Sequence, residues 1–327
     1  MPTHTWTQLG DPPSGARRID STSFTIDGLG YCVGGRVPPF TFSEECWSYD
    51  PDIDTWAQVA SHTGTKIRYS VSLTIHDPNY SAGPQNLGYQ LSGNPYLGNY
   101  WQGVRKYDYV LDTWFGSTSL PANQGRQTHF GFVINNEIYI CGGNTSPGSN
   151  GQICWQFTPL GGWTQKATMS SLKTSASGMS MQNGKGYVAF GGPLLVDFKT
   201  FEYDPVGNSW TQKADTPTTF GLGAHPTDQG TTIEGYILHG KAARKYNPID
   251  NEWTTLSGKG GESHVDCPVN FLLNNFIYFG LGTSHPSGYS TEFWMLDDGI
   301  GLNTAPFQAP SVRRKPPIYD ITRGHVD

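Results

Sequence analysis

Apolar and polar positions alternate along this chain in runs that are too short for helices. Runs such as "HFGFVINN" at 129–136 and "NFLLNN" at 270–275 end in a polar turn, and each is followed by a second apolar run that ends in small residues. Alternation with a period of two, bounded by Gly, Asn and Asp, predicts β-strands joined by tight turns. No segment has sustained helical periodicity, so we expect an all-β protein.

The sequence also repeats with a longer period. The phrase "YDPVGNSW" at 203–210 consists of an aromatic residue, a turn and a tryptophan, and it has copies at 49–56, 107–114, 246–253 and, one residue shorter, 157–163. Each of the five phrases ends in a tryptophan, and one further tryptophan lies near the start of the chain. These six tryptophans are separated by 50, 58, 49, 47 and 43 residues: Trp6, Trp56, Trp114, Trp163, Trp210 and Trp253. A period of this length is typical of propeller blades.

Each copy of the repeat is predicted to contain four short strands. Before each phrase lies an apolar strand ending in small residues, most clearly "GYCVGG" at 30–35, "IYICGG" at 138–143 and "GYVAFGG" at 186–192, and less clearly at 88–94, 235–241 and 277–283. A glycine pair tolerates unusual backbone dihedrals, and Asp-Pro initiates a tight turn. The large Trp and Tyr rings are expected to fill the space between neighbouring sheets.

This combination resembles the kelch repeat, which has a diglycine, then a spaced Tyr, then a Trp six or seven residues later. Six copies fit within residues 1–298. The resemblance implies a six-bladed kelch-type β-propeller, a fold that closes by pairing strands from both ends of the chain. The last copy, from 277 onward, has no terminal Trp strand, and Trp6 has no phrase before it. We therefore expect an all-β, six-bladed propeller over 1–298, closed by the N-terminal strand.

Residues 299–327 do not fit a blade and are interpreted as an extended C-terminal arm. Four prolines favour an extended conformation: Pro306, Pro310, Pro316 and Pro317. The arm is predicted to dock on a partner through a basic cluster and two apolar residues, namely Arg313, Arg314, Lys315, Ile318 and Tyr319. A solvated tail is the alternative, and docking on the chain's own propeller and on a neighbouring subunit are both open.

Charge and cysteine content exclude several classes of protein. A net charge of −6 and a pI near 5.8 argue against nucleic-acid binding, and no apolar run is long enough to span a membrane. The first residues have no basic start or apolar stretch, so we expect no secretory signal and a cytoplasmic or virion location. The chain has an odd number of cysteines and no C-x-x-C pair, which predicts neither a disulfide framework nor a zinc site for Cys32, Cys46, Cys141, Cys154 and Cys267. Cys46 and Cys154 occupy matching places just before the turn phrase and are predicted to be buried strand residues.

Kelch relatives include enzymes, which raises the question of a ligand site. Arg18 and Arg126 each stand 16 residues before the first glycine of a diglycine, and Arg68 begins the comparable strand of the second copy. Lys173 and His264 lie near the same level, so a ring of cations is predicted at one mouth of the central channel. Such a ring suits an anionic ligand or an acidic partner. In an alternative interpretation these side chains bond to loop carbonyls.

Metal and cofactor motifs are not found. The nine histidines have no copper-site spacing, and Glu262 and Asp266 are followed by Asn270 where an iron-binding kelch motif has histidine. No cofactor or metal is therefore predicted.

The sequence favours a non-enzymatic propeller that binds other protein subunits through its loops and its arm. Few charged residues (15%) and abundant Gly and aromatic residues are familiar from virus-particle and phage-tail proteins, so a particle or host-attachment component is expected, with a glycan as another partner. The alternative, implied by resemblance to sialic-acid mutarotase-like kelch proteins, is acidic-sugar binding or mutarotase-like activity at the Arg-lined mouth.

Overall fold

Six antiparallel sheets surround a common centre in the computed structural model of this protein. The structure describes residues 4–83, 85–116, 118–145, 151–192, 197–217, 234–265, 269–284 and 288–299. Where the first strands of neighbouring sheets are described, they contact one another, which places them innermost, and each sheet continues outward as a meander. This is the predicted six-bladed propeller, with each sheet as a blade.

The strands are numbered along the chain and grouped here by blade, from the centre outward. Blade 1 contains β2 (Thr22–Ile26), β3 (Leu29–Val33), β6 (Cys46–Asp50) and β7 (Thr55–Val59); blade 2 contains β9 (Val71–His76), β10 (Asn86–Pro95), β11 (Trp101–Asp108) and β12 (Thr113–Gly116); blade 3 contains β14 (Phe130–Ile134), β15 (Glu137–Cys141), β17 (Cys154–Thr158) and β18 (Gly162–Lys166).

The remaining blades follow the same order. Blade 4 contains β19 (Ser177–Ser180), β20 (Gly186–Ala189), β21 (Phe201–Asp204) and β22 (Ser209–Gln212); blade 5 has three described strands, β23 (Gly235–His239), β24 (Ala242–Asn247) and β25 (Glu252–Leu256); blade 6 contains β27 (Val269–Leu273), β28 (Phe276–Gly280), β31 (Phe293–Asp297) and β1 (Thr5–Gln8).

Short strands and one helical turn lie in the connections. They are β4 (Arg36–Val37), β5 (Thr41–Phe42), β8 (Ile67–Arg68), β13 (Arg126–Gln127), β16 (Asn144–Thr145), β26 (His264–Val265), β29 (Thr283–Ser284), β30 (Gly288–Tyr289) and a 3-10 turn at Ser14–Ala16.

The N-terminal strand closes the ring, as predicted. β1 pairs antiparallel with β31, with Trp6 opposite Leu296, and so supplies the outermost strand of blade 6. Trp6 packs against a buried cluster that includes Leu256 of blade 5 and Ile277 of blade 6. The predicted arm lies outside the described residues, apart from its first residue, Gly299.

Two faces follow from the meander. The face that we call the loop face carries the connections between second and third strands, β3–β6, β10–β11, β15–β17, β20–β21, β23–β24 and β28–β31. The opposite turn face carries the first-to-second turns and the third-to-fourth turns at 51–54, 109–112, 159–161, 205–208 and 248–251. Contacts such as Asn274 Nδ2 to Asp52 Oδ1, at 3.3 Å, join both kinds of turn on one face.

The repeated phrase forms a hydrogen-bonded latch between successive blades. In blade 2, Asp112 Oδ1 accepts from Tyr107 Oη (2.7 Å) and from the backbone N–H of Ala60 (2.8 Å), which follows the last strand of blade 1. Trp114 Nε1 then donates to Ala60 O at 2.8 Å. The residue two before the phrase's Trp has the same role in three other blades: Asp54, Asn208 and Asn251.

The ring-closing latch uses a histidine from outside the phrase. His4, also two residues before its tryptophan, accepts the N–H of Ser257 through Nε2 at 2.5 Å, while Trp6 Nε1 donates to Ser257 O at 2.9 Å. Ser257 follows the last strand of blade 5, so the same geometry ties blade 5 to blade 6. Blade 3 has Gly161 at this position, and its Trp163 Nε1 is buried with no bond to the described residues.

The prediction that the cysteines form no disulfide is wrong for one pair. Cys141 on β15 and Cys154 on β17 stand directly opposite each other in the register and are disulfide-bonded. Both are fully buried, as are the free thiols of Cys32 and Cys46. In blade 1, Cys46 lies opposite Val33, so no matching bond forms. Strand register, which spacing alone does not reveal, decides the pairing.

Replacing His4 tests the ring-closing latch. His4→Ala should lower the free energy of unfolding by about 0.5–1.5 kcal/mol, because the Ser257 N–H loses its acceptor. His4→Asn should retain most of the stability, since an amide oxygen is the acceptor at Asn208 and Asn251. Urea unfolding followed by tryptophan fluorescence measures both, and equal stability of the two variants would contradict the role.

Candidate functional site

Three of the five cations predicted at the channel mouth are buried. The side chains of Arg18, Arg126 and Lys173 have no solvent-exposed surface. They occupy equivalent places near the loop face, as their spacing suggested. Binding of a ligand by these three side chains stays a prediction.

Backbone carbonyls surround the two buried guanidinium groups in the same way. Arg18 Nη1 donates to Gly34 O (3.2 Å) and Glu45 O (2.9 Å), the two ends of the connection between β3 and β6. Arg126 Nη1 donates to Gly142 O (3.1 Å) and Ile153 O (3.3 Å), at the ends of the connection between β15 and β17. Each arginine therefore clamps the base of a loop and leaves little donor capacity for a ligand.

Lys173 has the corresponding role in blade 4. Its Nζ donates to Phe190 O at 3.0 Å and to Lys199 O at 2.7 Å, and Asp197 Oδ2 lies 3.4 Å away. Burial lowers the pKa of Lys173 to about 8, although Asp197 opposes the shift. Desolvation likewise lowers the pKa of Arg126 to about 10.

Blade 2 uses an arginine that sequence reasoning missed. Arg105 lies on β11, 7% exposed, and its Nη2 donates to Thr65 O at 2.6 Å. Its Nη1 lies 3.1 Å from His62 Nε2, and its guanidinium stacks 4.3 Å above the Trp101 ring. Arg105 therefore bonds to the connection between blades 1 and 2, whereas Arg18 bonds to the two ends of the connection within its own blade.

Arg68, the fourth predicted cation, reaches solvent. It lies on β8 with its side chain 26% exposed, and Arg36 on β4 is exposed to a similar extent, 23%. The carboxylate of Asp20, which is buried, accepts from Arg36 Nη2 at 2.6 Å and lies 3.5 Å from Arg68 Nη1. A shared buried carboxylate thus fixes two guanidinium groups at the loop face. For the fifth, His264, the structure describes only its backbone pairing with Ser284, and the predicted arm residues 313–315, 318 and 319 are not described.

A cleft of about 630 Å³ opens beside these arginines, between loops of blades 1 and 2. We call it the blade 1–2 groove; it is lined by Phe40, Thr41, Phe42, Thr65, Lys66, Pro95, Tyr96 and Leu97. Its apolar side chains are unusually open to solvent, with Phe40 56%, Tyr96 75% and Leu97 79% exposed.

Cations and rings order the walls of this groove. The Arg68 guanidinium lies over the rings of Phe42 (5.5 Å) and Tyr69 (4.7 Å), and that of Arg36 lies over Phe40 (5.5 Å). Phe42 in turn meets Tyr96 edge-on with ring centroids 5.5 Å apart. Cation–π and edge-to-face contacts hold exposed rings in defined positions.

The groove residues come from loops that the repeat pattern does not describe. β4 and β5 form a hairpin in which Phe40 N donates to Val37 O at 2.7 Å, and Tyr96 and Leu97 follow β10, the long second strand of blade 2. Residues 93–103 form a long non-repeat stretch, and sequence analysis did not single out the individual lining residues. The signal was two aromatic residues after a proline pair in "RVPPFTF", next to a non-repeat loop "GNPYLGNYW".

The described residues include no group of three or more His, Cys, Asp or Glu side chains placed to hold a metal ion. No helix in the described ranges is long and apolar enough to cross a membrane.

Comparisons with known proteins agree with this architecture. No family model matches the chain. Kelch-like protein 15 of Danio rerio is 24% identical over 261 residues, which is 70% of this chain and 41% of that protein, and the Homo sapiens protein of the same name is 24% identical over 244 residues, 65% of this chain and 38% of its own length. The chain is a kelch-type β-propeller. It spans less than half of the length of these curated relatives.

A solved structure shows the same fold. The structure of YjhT superimposes on this propeller with a TM-score of 0.68 and 15% sequence identity, covering 87% of this chain and 95% of the other. At this identity the likeness concerns the fold alone.

Arginine replacements distinguish the clamps from the groove. Arg126→Ala should lower the free energy of unfolding by about 1.5–3 kcal/mol, because buried carbonyls lose a charged donor. Arg68→Ala should lower it by less than about 1 kcal/mol, since a partly exposed ion pair contributes little. Parallel urea titrations measure both, and equal losses would contradict the distinction.

Two buried histidines predict acid sensitivity. Burial is the main cause that lowers the pKa of both His62 and His129 to about 3, with Arg105 and Arg126 adding to the effect. Between an unfolded pKa of about 6.5 and about 3, the unfolded chain binds protons that the native state does not, so stability falls as pH falls.

Measuring urea unfolding at pH 7 and pH 4.5 checks the direction of this pH dependence of stability and whether His129 causes it. The difference in stability between the two pH values should shrink by about 2.5 kcal/mol in His129→Asn, since one such histidine loses about 1.4 kcal/mol per pH unit below about pH 6.5. An unchanged pH dependence in the variant would rule out His129 as a source.

Proposed function

We propose that this propeller is a non-catalytic protein-interaction subunit that holds a protein partner in the blade 1–2 groove. The observation that carries the proposal is the cluster of exposed apolar side chains, Phe40, Tyr96 and Leu97, on one cleft of the loop face. Exposed apolar residues grouped in a cleft and rimmed by polar groups are typical of interaction sites, whereas scattered ones are ordinary.

The charges at the rim suit a partner with acidic side chains next to apolar ones. Lys66, 46% exposed, lines the groove, and Arg36 and Arg68 lie behind its aromatic wall. Arg and aromatic residues are also the side chains that dominate binding energy at interfaces. Because ring contacts and Asp20 already position these groups, binding requires little further ordering.

The assembly that we propose is a virus or phage particle, with the propeller as a structural or host-attachment component. Support comes from the composition, with few charged residues and many glycines and aromatics, and from a rigid disc that presents loops on one face.

A photocrosslinker placed at Tyr96 tests the groove in particles or extracts of the source. p-Benzoylphenylalanine at position 96 should give one crosslinked partner, and the same group at Val206, which is 94% exposed on the turn face, should not. Tyr96→Ala combined with Leu97→Ser should weaken incorporation of the propeller into its assembly at least tenfold. Normal incorporation of that variant would contradict the proposal.

Acidic-sugar binding is the second candidate, and the two partly exposed guanidinium groups beside aromatic rings favour it. A carboxylate bound by Arg68 and Arg36 would place a sugar ring against Phe40 or Phe42. Saturation-transfer NMR with N-acetylneuraminic acid measures this, with mutarotation of its anomers followed in the same samples. Binding that survives Arg68→Ala would place the sugar elsewhere.

A further inference from the structure

Every complete repeat phrase presents apolar side chains at the tip of its third-to-fourth turn. These tips are between 45% and 94% exposed: Ile53, Val110, Leu111, Leu160, Val206 and Ile249. A turn needs no apolar residue for its own geometry, since the capping bonds come from Asp50, Asp108, Asp204 and Asn247. All five turns lie on the turn face, so the propeller carries a series of solvent-exposed apolar tips there.

The same five phrases are strongly acidic. They contain eight acidic residues and neither lysine nor arginine: Asp50, Asp52, Asp54, Asp108, Asp112, Asp204, Asp250 and Glu252. Lys185, in a first-to-second turn, lies 2.8 Å from Asp204. An occupant of this face therefore needs basic residues close to apolar ones.

The chain itself supplies such a segment, and it starts at this face. β31 is the third strand of blade 6 and ends at Asp297, where the other blades make their third-to-fourth turn. The following residues 300–327 contain four basic residues, Arg313, Arg314, Lys315 and Arg323, against two acidic ones, Asp320 and Asp327. The basic cluster is followed by Pro316, Pro317, Ile318 and Tyr319, which places apolar side chains directly beside the charges.

Distance along the chain permits the contact. Arg313 lies 14 positions after Gly299, and an extended chain spans about 3.3–3.6 Å per residue, or about 45–50 Å in total. The neighbours of blade 6 in the ring are blade 5, with Ile249, Asp250 and Glu252 at its tip, and blade 1, with Asp52 and Ile53. Tethering at Gly299 also raises the effective concentration of the segment at these two tips.

We propose that residues 311–321 bind the turn face of their own propeller, with Arg313, Arg314 and Lys315 against the acidic residues and Ile318 and Tyr319 against the apolar tip of blade 1 or blade 5. This contact lies on the face opposite the blade 1–2 groove. It would leave the groove open to a partner while covering part of the apolar turn face.

A photocrosslinker in the full-length chain tests the contact. With p-benzoylphenylalanine in place of Tyr319, in 50 mM NaCl, peptide mapping should find intramolecular crosslinks to residues 49–54 or 246–252. The yield should fall at least fivefold in 500 mM NaCl, because the attraction is between exposed charges.

Charge-reversed variants supply the matched comparison. Arg313→Glu with Arg314→Glu and Lys315→Glu should lower the crosslink yield at least fivefold. Lys66→Glu with Lys199→Glu and Lys241→Glu changes the net charge equally with exposed residues of the loop face, and it should leave the yield unchanged. Asp52→Asn with Ile53→Ser, together with Asp250→Asn and Ile249→Ser, should remove the crosslinks while keeping the latch residues intact.

Three results would overturn the proposal. They are crosslinks only between two chains, seen as a doubled mass in denaturing gels; crosslinks to the loop face; and no crosslink to the propeller at 50 mM NaCl. The variant with Arg313→Glu, Arg314→Glu and Lys315→Glu should still crosslink to its partner through the blade 1–2 groove. The outcome for the arm is therefore distinguishable from the outcome for the proposed function.

Discussion

The structure depends on the bond network that joins the end of one blade to the turn of the next at five of the six blade junctions, all except that between blades 2 and 3. A side-chain acceptor two residues before a tryptophan binds a backbone N–H of the preceding blade. In blades 2, 4, 5 and 6 the tryptophan also donates to the carbonyl of that same residue. The strand pairing within a four-stranded blade does not fix the angle between that blade and its neighbour, so contacts between blades must do so. The latch does so with both polar groups of one backbone residue, and the large rings beside it exclude water.

Ring closure extends this constraint to residues far apart in sequence. His4 and Ser257 are 253 residues apart, yet they reproduce the geometry that Asp112 and Ala60 make within the chain. The pairing of β1 with β31 covers the outer edge of β31 and gives blade 6 the same four-stranded outer boundary, here β1, as blades 1 to 4 have. Exposed edges are prone to pairing with other chains, so closure bears on solubility as well as on stability.

Burial separates cations that support the fold from cations that reach solvent. Arg18, Arg126 and Lys173 bond to the carbonyls at the bases of their loops, with no exposed side-chain surface. Arg36 and Arg68 share a buried carboxylate and stack on rings at the open groove. Rigid loop bases and positioned rings together give the loop face a fixed shape, while the turn face has the opposite charge and apolar tips.

The sequence by itself determined the number of blades, the position of their tryptophans and the closure by the N-terminal strand. Those features rest on local chemistry, a turn, a glycine pair and a large ring, which repeats at every blade and can be read without knowing contacts. It also identified equivalent arginines, but it did not decide whether they face solvent. The roles of Arg105, the Cys141–Cys154 bond and the assembly of Phe40, Phe42 and Tyr96 into one groove were decided only by tertiary structure. Each of these depends on strand register or on the meeting of loops from different blades, and neither is encoded in the spacing of residues along the chain.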